Sequence, residues 1–239
     1  MTRTEIIDRD MKMSDIILKN HLIILVLERF EIDLGFKDKS VEEVCKDVVN
    51  VEVFLTISNL FNNSQYNTTT NFNYKDTQTI IQFLKNSHKY YLEEKYPEIS
   101  NNIQLMIKKN SDSEILMVER FFEEYKNEVV EHLAYENDIV FPYIIALFDK
   151  AMGGGNKNGQ ITYSVRDYKE HHNDIEEKLA DLKNLLIKYL PQKKDKEVRR
   201  KILFDLFELE YDLSIHAKIE ENILIPLVES MENDLKNNE

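Results

Sequence analysis

The chain has 239 residues, 42% hydrophobic and 31% charged, with five glycines, four prolines and a formal net charge of −13. So few helix breakers among so many Leu, Ile, Glu and Lys point to an all-α protein. The acidic balance argues against nucleic acid or an anionic membrane as partner, because phosphate binding needs a basic face.

The single Cys45 excludes a disulfide within the chain and an all-cysteine metal site. No apolar run approaches the roughly 18 residues of a membrane span, and no charged segment with an apolar run behind it opens the chain. No membrane association and a cytoplasmic setting are the expectations.

In chain order, residues 1–61 read as a small helical domain. Ser14–Leu27 is amphipathic and largely apolar, Gly35 marks a turn, and Val41–Leu60 resumes helix. Asn62–Thr79, dense in Asn, Thr, Gln and Ser, reads as a linker. Four long helical segments follow, over roughly 80–95, 112–151, 163–189 and 196–231, each with an apolar stripe at 3–4 spacing. Met152–Gln160 holds four of the five glycines; with no strand before it and no GK[ST] after it, it is a helix connection rather than a phosphate loop. Pro191 separates the last two segments. Short to moderate connections predict an up-down-up-down four-helix bundle over 80–231.

Two of these segments repeat one constellation. His132 is followed four residues on by Glu136 and ten on by Pro142; His216, Glu220 and Pro226 have the same spacing. Positions i and i+4 of a helix stack on one face about 6 Å apart, so each helix offers an imidazole and a carboxylate to one metal cluster, and the carboxylates can bridge two ions. Two further imidazoles complete two metals. His88 shares a face with Ile81, Leu84 and Tyr91. In the third segment His172 lies in line with Tyr168, Ile175 and Leu179, whereas His171 points about 100° away, so His172 is the predicted ligand.

His21, with Leu25 rather than a carboxylate four residues on, reads as a packing or surface residue. One histidine on an apolar face is usually a core residue. Four on the inward stripes of four helices, with two glutamates on buried faces where an unpaired charge costs several kcal/mol, call for metal. Mixed imidazole and carboxylate ligands suit iron, or manganese, better than zinc. Pro142 and Pro226 should kink or locally open their helices. Tyr91 and Tyr168 share the ligand stripes; core packing is their expected role, with a hydrogen bond near the metals as the alternative.

At Ser87-His88-Lys89 leading to Pro97-Glu98-Ile99, His132 to Pro142, Glu170 to Leu179 and His216 to Pro226, the chain resembles the hemerythrin-like, or HHE cation-binding, family. Within it the chain is most similar to the di-iron repair of iron centres proteins. The resemblance implies a hemerythrin-like four-helix bundle with His88, His132, His172 and His216 ligating two irons. Glu136 and Glu220 would bridge them, and an oxo or hydroxo bridge would complete the cluster. It also implies a role in nitrosative or oxidative stress and iron-sulfur cluster repair through iron redox chemistry, with O2, NO or peroxide as the small ligand. The alternative is an oxygen or NO sensor or carrier with no turnover.

Residues 1–61 resemble that family's small helical N-terminal domain, a candidate surface for a homodimer or protein partner. Gly35-Phe36-Lys37-Asp38 stands where the family has a Cys-Cys-Gly-Gly turn, so the paired cysteines are missing and Cys45 is expected to be structural. His88 precedes Pro97 by nine residues, one more than the family spacing.

Overall fold

A computed structural model of the chain describes residues 5–67, 72–109, 113–154, 163–171, 176–191 and 195–237. Its secondary structure is helical apart from one isolated bridge between Lys12 and Ser40. The helices are α1 (Met13–Lys19), α2 (Ile23–Arg29), α3 (Val41–Cys45), α4 (Val51–Asn62), α5 (Asp76–Tyr90) and α6 (Tyr96–Lys109). They continue with α7 (Ser113–Tyr135), α8 (Phe141–Ala151), α9 (Val165–His171), α10 (Glu176–Asn184), α11 (Lys196–Ile219) and α12 (Ile225–Asn237). Among the described residues no helix is long and apolar enough to cross a membrane. The chain divides into two compact units, one of Met1–Ser87, Phe141–Val165 and Ile215–Glu239, the other of His88–Val140 and Arg166–Ser214.

In the first unit the two helices read from residues 14–60 are each broken in two. Asn20 adopts extended backbone between α1 and α2; its Nδ2 donates to the Phe61 carbonyl (3.0 Å) and its Oδ1 accepts the Leu22 N–H (3.1 Å). An asparagine side chain that satisfies backbone groups in this way competes with the helix. Asp47, at φ 63°, breaks the second stretch. Asn50 then caps α4 by accepting the Glu52 N–H at 2.9 Å.

Gly35 does mark a turn: its φ of 112° is a conformation side chains disfavour. Ser40 and Glu43 form a reciprocal capping box at the start of α3. Phe54, Ile57, Leu60 and Phe61 of α4 are all at most 2% exposed, and burying each contributes about 1.5–3 kcal/mol. Phe30 packs on Phe54 and Phe83, and the Arg29 guanidinium lies over Phe61 and Phe83. Elsewhere in this unit α8 packs along α12, and Glu232 accepts from the Tyr143 hydroxyl and from the Val165 N–H.

The second unit holds a four-helix core. Ile99 and Ile103 of α6, Phe122 and Val129 of α7, Leu179 and Leu182 of α10, and Leu206 and Leu209 of α11 are buried together. Several polar groups inside it are paired. Lys95 reaches Glu208 (3.1 Å) and Asp205 (3.5 Å), and Asn102 Nδ2 donates to Asp205 (3.0 Å). The Tyr96 hydroxyl donates to that of Tyr125 (3.3 Å), and burial pushes the Tyr96 phenol well above its usual range.

All four prolines follow widened π turns. The turns are Tyr91–Lys95, Glu136–Val140, Leu185–Tyr189 and Glu220–Leu224, and Pro97, Pro142, Pro191 and Pro226 each stand six residues after the first residue of one. The residue before Pro97, Pro191 and Pro226 donates its N–H five residues back, as Tyr96 to Tyr91, Leu190 to Leu185 and Ile225 to Glu220. A proline ring collides with the carbonyl four residues earlier in a regular helix, and widening the turn relieves that collision.

The local opening expected at Pro142 and Pro226 is therefore present. It is also why the first bundle helix does not stop near 95: it passes through Pro97 and runs on to Lys109 as α6.

Candidate metal centre

In the second unit, three of the predicted ligands meet. His132 and Glu136 are one turn apart at the end of α7, with Nε2 3.2 Å from Oε1. His88, near the end of α5, brings its Nε2 to 3.3 Å from the other carboxylate oxygen, Oε2. Each oxygen of Glu136 thus faces one imidazole, from two different helices. His88 is 1% exposed and Glu136 is completely buried. Glu136 is also the first residue of the π turn before Pro142, and such single widened turns concentrate at functional sites.

The first unit carries the second copy. His216 Nε2 stands 3.6 Å from Glu220 Oε1, both buried, and Glu220 opens the π turn before Pro226. His172 lies outside the described residues. His171 is the last residue of α9. His21 is exposed, in the turn before α2, and Cys45 is 1% exposed, with burial pushing its thiol up to about 12.

The chemistry of the Glu136 pair calls for a cation. Among the described residues neither carboxylate oxygen accepts a hydrogen bond, although both are buried. His88 Nδ1 is 3.2 Å from Asn137 Oδ1, an amide oxygen that holds a proton on Nδ1 when the ring ligates through Nε2. Nε2 stands 3.3 Å from the Glu136 carboxylate oxygen. A buried carboxylate that receives no hydrogen bond is costly, and a metal ion held between it and the imidazole nitrogens would satisfy it. The residues present therefore fit a metal.

Asn137 is the functional residue that sequence reasoning missed. Only its adjacency to Glu136 hinted at it, and the second copy has Glu221 there instead.

Comparison with known proteins points to cation binding as well. Residues 79–228 match the family described as the hemerythrin HHE cation binding domain. The chain is also 22% identical over 192 residues to the iron-sulfur cluster repair protein ScdA of Staphylococcus haemolyticus (strain JCSC1435), covering 77% of this chain and 82% of that one. No solved structure matches it significantly. The paired His-x3-Glu helices, the buried carboxylate facing two imidazoles and a match over well more than half its length place this chain in the hemerythrin HHE cation-binding family.

Proposed function

We propose that the protein binds two irons through His88, His132, His172, His216, Glu136 and Glu220, with the two glutamates bridging, and serves iron-sulfur cluster repair under nitrosative or oxidative stress. The observation that carries the metal reading is the buried Glu136 carboxylate, facing two imidazole nitrogens at 3.2 and 3.3 Å and receiving no hydrogen bond among the described residues. The name of the ScdA relative supports the repair role.

Two irons held there would supply one-electron redox chemistry and an open position for O2, NO or peroxide. The chain's part is to hold and orient. Asn137 Oδ1, 3.2 Å from His88 Nδ1, would hold a proton there and leave Nε2 to ligate. Burial of Glu136 and Glu220 keeps water from competing for the carboxylates. Cys45 has no cysteine partner and its thiol is buried, so iron redox rather than dithiol exchange carries the chemistry.

The test is metal analysis of anaerobically purified protein. Two irons per chain are expected, with loss of iron in His132→Ala and Glu220→Ala and retention in His171→Ala. Iron lost from His171→Ala but kept in His172→Ala would overturn the assignment of His172, and a chain that takes up no iron would overturn the whole reading. Turnover of NO or peroxide by the loaded protein separates repair chemistry from reversible sensing.

A further inference from the structure

The two His-x3-Glu helices have a partial counterpart in the first bundle helix, with the carboxylate exchanged and the spacing from the histidine shortened by one. The π turns that begin at Glu136 and Glu220 have a counterpart beginning at Tyr91, and all three first residues stand six before a proline. A histidine ligand precedes each of them, His132 and His216 by four residues and His88 by three. Spacings of three and four share a helix face.

The fourth π turn, which begins at Leu185, has Asp181 and Leu182 at those earlier positions and no imidazole. Among the described residues, a polar first residue occurs only where a histidine lies one turn before.

The direction of that face is set by His88, whose Nε2 is 3.3 Å from Glu136. Tyr91, one turn further along it, is completely buried, its hydroxyl oxygen included. On the di-iron reading a third carboxylate at this place would add negative charge to a buried cluster that already holds two. A phenol adds an O–H donor instead.

Resting on the di-iron reading above, we infer that Tyr91 lines the small-ligand position of the metal centre and donates a hydrogen bond from its hydroxyl to an anion or diatomic molecule bound at the iron. It stands where the other two helices carry a bridging carboxylate, and it gives the site a donor on the side of the first bundle helix.

The experiment titrates azide into the iron-loaded protein and follows the visible charge-transfer absorption for wild type, Tyr91→Phe and Tyr90→Phe. Tyr90 is the adjacent half-buried ring, 5.9 Å from Tyr91 between centroids. Tyr91→Phe should keep the wild-type iron content and bind azide about tenfold more weakly, the scale of one lost hydrogen bond to a buried charged group. Tyr90→Phe should match wild type. Azide affinity of Tyr91→Phe within about twofold of wild type overturns the inference, as does an equal weakening in Tyr90→Phe. Loss of iron from Tyr91→Phe alone overturns it in favour of a role in holding the metal. Wild-type protein that binds no iron overturns the di-iron reading and this inference with it.

Discussion

Glu136→Gln is the substitution whose effect should change sign with metal. In metal-free protein the Glu136 carboxylate is completely buried, receives no hydrogen bond among the described residues, and faces imidazole nitrogens at 3.2 and 3.3 Å. Gln is nearly isosteric but carries an NH2 group, which can donate to the His88 Nε2 lone pair. The exchange removes an unsatisfied buried acceptor, worth about 1–3 kcal/mol and more when charged. For a chain of this size 1 kcal/mol moves the midpoint of thermal unfolding by about 2–4 °C. Metal-free Glu136→Gln should therefore melt about 2–12 °C above metal-free wild type.

With iron present the order reverses. Wild type gains about 4 kcal/mol when free metal exceeds its Kd a thousandfold, and the variant, lacking a bridging carboxylate, gains little. Differential scanning calorimetry on both proteins, with and without ferrous iron under anaerobic conditions, reads all four midpoints. A variant less stable than wild type in the metal-free state would refute the account of Glu136 as an unpaired acceptor waiting for a cation.

Two further outcomes follow from groups away from the metal. Lys95→Met strips the buried Asp205 of its ammonium partner and should cost about 3–5 kcal/mol in denaturant unfolding; adding Asp205→Leu should recover much of it, and a double variant no better than the single one would refute the pairing. The Cys45 thiol, pushed up to about 12 by burial from an ordinary value of 9.0, stays protonated in the fold while the unfolded chain ionises. The unfolded state then binds fewer protons, so stability falls as pH rises from 9.0 towards 12, by up to about 1.4 kcal/mol per pH unit. Cys45→Ala should flatten that slope.

The helix content, the apolar stripes and the two His-x3-Glu pairs were legible because each depends on residues within two turns of one another. His132 and Glu136 sit 3.2 Å apart for the same reason. The breaks in the N-terminal helices were not legible. Asn20 ends α1 by bonding the Phe61 carbonyl, 41 positions away, and its neighbours in sequence hold no sign of that partner. Nor was the end of the first bundle helix: Pro97 reads as a stop to anyone counting an unbroken 3.6-residue period, and a π turn lets the helix continue.

By itself, then, the sequence determined which residues are able to ligate and that the helices at Pro142 and Pro226 must kink or open, because the i to i+4 pairing and the clash of a proline within a helix are properties of one helix. Only tertiary structure brought His88 of α5 onto the second oxygen of Glu136, and only it set Asn137 against His88 Nδ1. Both contacts join positions nearly fifty residues apart, and packing between helices, rather than any local pattern, decides which faces meet.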